Sequence, residues 1–167
     1  MRSAINRRRG SGALQWWRTF ALGYARAMSD IPTTGGIHHV FITVKDIARS
    51  RPFYERLMPR LGYPGVWQFD DAGTSLGFLG KGGSFWIKQG APRFAADTFD
   101  KDRVGLCEIA FRAESREQVD ALAGDLVAWG GRILDPPRAY PEYVPGYYAV
   151  FFADPDGIKL ELVYLPT

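Results

Sequence analysis

The sequence predicts an α+β fold in which two βαβββ modules form a curved, cupped mixed sheet with the helices outside. Strand-like segments with a two-residue hydrophobic period alternate with two segments of helical period. Turns rich in glycine separate the short strands. When the chain is aligned with itself, His39 falls on Glu108, Phe53 on Leu122 and Gly62 on Gly131. This internal duplication favours two equivalent modules that bury their sheet faces together.

The first module is predicted over about residues 37–90. The segment 38–44 alternates as a strand, and Asp46 opens a helix that runs to about Arg60, with Gly62 beyond its end. Three short strands complete the module, at 66–69, 75–79 and 84–88.

The second module is predicted over about residues 103–167, after a polar linker at 90–102. A strand at 106–113 precedes a helix that Ser115 caps and that runs to about Trp129, where Gly130 and Gly131 follow. Three strands are again predicted, at 132–134, 147–152 and 158–164.

Residues 1–36 are predicted to form a basic, disordered N-terminal extension. They hold six arginines and one acid, Asp30, and Met28 is an alternative translation start. A transit peptide or an interfacial helix is the competing interpretation of such a composition. The remaining residues carry 15 basic and 17 acidic groups. A mildly acidic domain lacks the positive groove of nucleic-acid binders, so nucleic acid is not expected as a partner.

The cysteine content and hydropathy point to a cytoplasmic protein. The single cysteine, Cys107, cannot form an internal disulfide. No apolar run approaches the ~20 residues that a membrane-spanning helix requires, so no membrane partner is expected.

Three ligand-capable side chains fall on strand faces that are not needed for the core. His39, Glu108 and Glu161 each alternate with apolar neighbours that would pack under a helix. A mid-strand carboxylate is costly to bury without a cation or hydrogen-bond donors, and one divalent ion would satisfy both glutamates. The alternatives are a histidine that only fills space, a Glu108–Arg112 ion pair and a Glu161–Lys159 ion pair.

The runs HHVFITVKDI, SRPFYERLMPRLG, CEIAFRA and YYAVFFADPDGIKLELVY closely resemble the vicinal oxygen chelate superfamily of glyoxalase I, bleomycin-resistance proteins and extradiol dioxygenases. The resemblance covers residues 37–167. It implies metal ligation by His39, Glu108 and Glu161, although members usually have histidine at the position of Glu108. The fourth ligand of glyoxalase I would fall at about 86–88, where this sequence has no carboxylate.

The resemblance implies a metal-dependent lyase or isomerase of the glyoxalase type, acting on a small molecule with neighbouring oxygens. Glu161 or Glu108 would transfer the proton as the catalytic group. One imidazole and two carboxylates favour Zn, Ni, Mn or Mg over Fe. An extradiol-type dioxygenase and a non-catalytic binding protein, like the bleomycin-resistance proteins, are the alternatives.

Five residues are predicted to bind the small-molecule substrate: Phe41, Trp86, Arg112, Tyr143 and Tyr147. An aromatic cup with one arginine suits a partly apolar, anionic ligand. Members of this size often share sites between two chains, so the resemblance also implies a homodimer.

Overall fold

The structure is a computed structural model that describes residues 36–68 and 73–166. Ile37–Thr167 form one compact unit. The predicted extension up to residue 35, including Met28, and the predicted end of a strand at Phe69 lie outside the described residues. In the part of the chain that is described, no helix is long and apolar enough to span a membrane.

The first module is one helix and four strands. They are β1 (His39–Val44), α1 (Ile47–Arg60), β2 (Gly65–Gln68), β3 (Ser75–Gly80) and β4 (Gly83–Gln89). The sheet order is β1-β4-β3-β2, with β1 parallel to β4 and the other pairs antiparallel.

The second module repeats this arrangement after a single 3₁₀ turn at Pro92–Phe94. It contains β5 (Ile109–Arg112), α2 (Arg116–Ala128), β6 (Arg132–Ala139), β7 (Tyr148–Ala153) and β8 (Lys159–Tyr164). Its sheet order, β5-β8-β7-β6, has the same parallel pair between its first and last strands. The matching topology agrees with the duplication that the self-alignment indicates.

Both helices begin at the residues that the sequence predicts. The Asp46 carboxylate accepts hydrogen bonds from the backbone amides of Ala48 and Arg49, and the Ser115 hydroxyl accepts one from Gln118. These caps satisfy amides that have no partner within the helix.

Glycines follow the C-terminal ends of both helices. Gly62 and Gly130 have positive φ values of 85° and 73°, a backbone region that glycine adopts at low cost.

The predicted fold class is confirmed, with differences in detail. Among the described residues the strands form two separate four-stranded sheets, and no strand pairing joins the modules. The strand predicted at 106–113 begins only at Ile109, so Glu108 lies just before β5. Strand β6 continues past Pro136 and Pro137, where its register with β7 shifts. Prolines cannot donate ladder hydrogen bonds, which is why the pattern predicted an early end.

The modules share one hydrophobic core built from the helix-bearing sides of both sheets. The rings of Phe85 in β4 and Phe111 in β5 lie 5.8 Å apart between centroids. An ion pair of 2.9 Å between Arg60 and Asp125 joins α1 to α2. This packing leaves the other face of each sheet free of helices, and we call these the open faces. On the second sheet, Tyr140, Ala149 and Phe151 form a smaller buried cluster on that face. The predicted site residues lie on or beside the open faces.

Candidate functional site

Strand alternation places Glu161 on the open face of the second sheet. Leu160 and Leu162, its neighbours in β8, are fully buried in the core. Glu161 pairs in register with Ala110 in β5 and Phe151 in β7, and its relative exposure is only 1%. A carboxylate so shielded from water requires nearby hydrogen-bond donors or cations.

Tyr147 provides the hydrogen bond to Glu161. The phenol oxygen of Tyr147 donates to Oε1 of Glu161 over 2.5 Å. Burial raises the pKa of Glu161, and the charge of Glu108 raises it further, whereas the Tyr147 hydrogen bond and the Lys159 ammonium lower it. Burial also raises the pKa of Tyr147 well above its ordinary value, so the phenol stays protonated and donates.

Lys159 provides the positive charge beside Glu108. Its Nζ lies 2.6 Å from Oε2 of Glu108, and both side chains are partly shielded, with exposures of 22% and 33%. The same ammonium lies 4.4 Å from the centroid of the Phe151 ring. The ion pairs that the sequence offers as alternatives, Glu108–Arg112 and Glu161–Lys159, are therefore replaced by a Glu108–Lys159 pair.

Tyrosines from the loop before β7 form one wall of this open face. The rings of Tyr140 and Tyr143 stack at 5.4 Å with an angle of 6°, and Tyr147 meets Tyr143 edge-on at 5.4 Å. Tyr140 donates a hydrogen bond of 2.7 Å to Asp135, and Arg138 lies 3.7 Å above the Tyr140 ring. The Tyr140 hydrogen bond lowers the pKa of Asp135. The wall is thus fixed by charges as well as by ring contacts.

His39 lies on the open face of the first sheet. It is exposed, and its Nδ1 is 3.1 Å from Nδ1 of His38. Phe41, on the same face, stacks on Trp86 at 5.6 Å. A Cβ atom on Gly77 would come within 2.6 Å of the Trp86 ring, so only glycine lets this ring lie across β3.

The structure brings together two of the three predicted metal ligands. Glu108 and Glu161 share the open face of the second sheet, whereas His39 belongs to the first sheet. Within 36–68 and 73–166, no group of three or more His, Cys, Asp or Glu side chains is placed to hold a metal ion. Carboxylate oxygens are ligands that hard divalent cations prefer.

The first sheet has an aromatic residue where the second has its buried carboxylate. Trp86 pairs with Phe41 of β1, as Glu161 pairs with Ala110 of β5. Trp86 therefore occupies the position in the first module that Glu161 occupies in the second. The first module therefore has no carboxylate at the position equivalent to Glu161.

The predicted substrate-binding residues divide between the two open faces. Phe41 and Trp86 lie on the first sheet. Arg112 pairs in register with Val163 and shares the face of Glu161, while Tyr143 and Tyr147 lie beside that face in the tyrosine wall.

The sequence prediction of the site does not include Lys159. Its position two residues before Glu161 in the same strand indicates that the two side chains share a face.

The comparisons with known proteins agree with this fold. A model of the Glyoxalase/Bleomycin resistance protein/Dioxygenase superfamily matches residues 36–162. The chain is 37% identical over 129 residues to the uncharacterized protein YqjT of Bacillus subtilis, covering 76% of this chain and 97% of that protein.

Two solved structures illustrate the range of this fold. A candidate glyoxalase from Bacillus halodurans is 34% identical, with a TM-score of 0.67, over 79% of this chain and 97% of that one. The fosfomycin resistance protein FosX of Listeria monocytogenes is 22% identical, with a TM-score of 0.57, over 80% and 96% of the two chains. An identity this low supports a shared fold and carries no information on whether the two proteins share a function.

Proposed function

The chain belongs to the Glyoxalase/Bleomycin resistance protein/Dioxygenase superfamily, and on this premise we propose that it is a metal-dependent lyase or isomerase of the glyoxalase type. Its substrate would be a small molecule with two neighbouring oxygens. The substrate would bind over the open face of the second sheet, between the carboxylate pair and the tyrosine wall.

The observation that carries this proposal is the shielded carboxylate of Glu161 beside Glu108. Two carboxylates on one sheet face repel each other, and shielding from water makes that repulsion larger. A protein retains such a pair at a cost to stability, which is more readily explained by chemistry than by packing. The only cation that the structure places against the pair is Lys159, within the described residues.

The carboxylates fit a divalent metal, which members of the superfamily commonly bind. Glu108 and Glu161 would hold the ion, and we propose that His39 of a second copy completes the set in a homodimer. The ion would supply charge stabilisation at the two substrate oxygens. Two carboxylates with one imidazole favour Zn, Ni, Mn or Mg over Fe, which argues against the dioxygenase alternative.

The chain's own residues are suited to moving a proton. Burial raises the pKa of Glu161 above its ordinary value in the metal-free protein, and a bound cation would lower it again. The ion would therefore set the pKa at which Glu161 or Glu108 exchanges a proton with the substrate. The Tyr147 hydrogen bond fixes the orientation of this carboxyl group. The tyrosine wall limits access of water to the same face.

A second candidate is binding of a small aromatic molecule without turnover. The Glu108–Lys159 ion pair favours it, because a lysine that already neutralises Glu108 removes part of the need for a metal. The stacked tyrosines would hold such a ligand by ring contacts.

Metal analysis of the purified protein distinguishes the two candidates. We expect stoichiometric divalent metal in the wild type and its loss in Glu161→Ala. The control is Glu55→Ala, which removes an exposed carboxylate from α1. Wild-type protein without stoichiometric metal, including after incubation with each divalent ion, would contradict the enzymatic proposal. Binding of an aromatic ligand by that metal-free protein would support the second candidate.

A further inference from the structure

A recess separate from the candidate site lies where α1 meets the second module. Its volume is about 400 Å³. Its walls include Pro52, Phe53, Arg56, Trp129, Arg132 and Pro155. Neither the carboxylate pair nor the tyrosine wall contributes a residue to it.

Arg56 differs from the other arginines of α1 in having no carboxylate partner. Three ion pairs engage the others: Arg49 with Asp156, Arg51 with Glu55, and Arg60 with Asp125. The guanidinium group of Arg56 forms no ion pair or hydrogen bond with any described residue. The one arginine of α1 that is free in this sense is the one that borders the recess.

Arg132 borders the recess from the second module. It is the first residue of β6, it is exposed, and it too has no carboxylate partner among residues 36–68 and 73–166. Two arginines from different elements therefore line one cavity, and neither guanidinium group has a carboxylate partner among the described residues. Guanidinium groups bind carboxylates and phosphates through paired hydrogen bonds.

Most of the other side chains in the lining are apolar. Phe53 and Trp129 are half-buried and pack against the main core, so their rings are held in place. Pro52 and Pro155 add rigid apolar surface. A volume of about 400 Å³ lies within the range of small-molecule pockets. Such a lining suits a ligand whose body is aromatic or otherwise apolar.

The one carboxylate in the lining, that of Asp154, is already engaged. Its Oδ2 accepts a hydrogen bond of 2.8 Å from Tyr54, and its Oδ1 accepts bonds from the backbone amides of Asp156 and Ile158. Asp154 is 4% exposed. It is therefore not available to neutralise Arg56 or Arg132.

We propose that this recess binds a small organic anion, with a carboxylate or phosphate between Arg56 and Arg132 and an aromatic or apolar body against Phe53 and Trp129. The basic segment 1–36 is a poor occupant because it carries the same sign of charge as the two arginines. This site is independent of the metal and of the reaction proposed above.

Calorimetric titration of the full chain with benzoate and with phenyl phosphate tests the proposal, and benzyl alcohol serves as the uncharged comparison. We expect saturable binding of at least one anion and much weaker binding of the alcohol. Arg56→Gln and Arg132→Gln should each weaken anion binding about 10-fold, the loss of one charge-assisted contact. The tighter of the two anions identifies the ligand class as carboxylate or phosphate.

Two further variants fix the location of binding. Arg51→Gln removes an arginine of α1 that is paired elsewhere, and Arg112→Gln removes an arginine on the open face, so both should bind the anion as the wild type does. No saturable binding of either anion up to about 10 mM would overturn the proposal. It would also be overturned if both recess variants bound normally, or if Arg112→Gln abolished binding.

Discussion

Lys159 is the residue that allows two carboxylates to share one sheet face. Its ammonium contacts Glu108 at 2.6 Å and lowers the pKa of Glu161, whose own hydrogen bond comes from Tyr147. Removing the ammonium would leave Glu108 facing Glu161 with no cation between them. The two carboxylates would then repel each other in a partly shielded environment.

We predict that Lys159→Met lowers the free energy of unfolding of the metal-free protein by ~1–3 kcal/mol, because Glu108 loses its charged partner. Adding Glu108→Gln to this variant should restore most of the loss, since the repulsion disappears with the charge. Urea unfolding measures both effects. Lys88→Met, which removes an exposed lysine from the open face of the first sheet, is the control and should change little. Absence of rescue by Glu108→Gln would show that the lysine acts by packing alone.

Residue faces were predictable from sequence, but the ion pairs were not. The alternation of Leu160, Glu161 and Leu162 is a local pattern, and it places Glu161 correctly on the open face. The partner of Lys159 depends on the parallel register of β5 and β8. These strands lie at opposite ends of the second module in the sequence. Local periodicity does not fix such a register.

At the scale of elements, α1 connects the first module to the turn between β7 and β8. Tyr54 in α1 is fully buried and donates to Asp154, a carboxylate that also orders the turn through the amides of Asp156 and Ile158. Burial raises the pKa of the Tyr54 phenol, and the charge of Asp154 adds to this rise. The phenol therefore stays protonated and remains a donor.

We predict that Tyr54→Phe lowers the free energy of unfolding by ~1–3 kcal/mol, because a buried carboxylate loses one of its donors. Thermal or urea unfolding at neutral pH gives the value. Tyr63→Phe is the matched control, since the Tyr63 hydroxyl makes no hydrogen bond within the described residues. Equal effects of the two substitutions would mean that the Tyr54–Asp154 bond does not hold the modules together.

Element prediction succeeded where the signals were local. Asp46 and Ser115 cap their helices as their residue types predict, and the glycines after each helix mark its end. It failed at β6, which continues beyond Pro136 and Pro137 because β7 supplies a partner strand along that length. Tertiary pairing there overrides the tendency of proline to end a strand.

At the scale of the whole molecule, the open face of the first sheet exposes an apolar patch beside His39. Phe41 is 47% exposed and Trp67 58%. Large exposed aromatic side chains on one face are typical of surfaces that contact another protein. The proposed homodimer would cover them and would bring His39 of one copy to the carboxylate pair of the other.

The proposed division of the site between two copies would account for the absence of a group of the three predicted ligands among the described residues of one chain. The sequence identifies His39, Glu108 and Glu161 by their faces and by their places in the duplicated module. It contains no information on which sheets meet, because that depends on how two complete modules associate.

The most direct test is the metal content of dimers formed by co-expressed His39→Ala and Glu161→Ala chains. Each variant alone should bind no stoichiometric metal. If the site is shared between copies, a mixed dimer regains one intact site, so an equal mixture should bind roughly a quarter of the wild-type metal per chain. A mixture that binds no more metal than either variant alone would contradict a metal site built from His39 of one copy and Glu161 of the other.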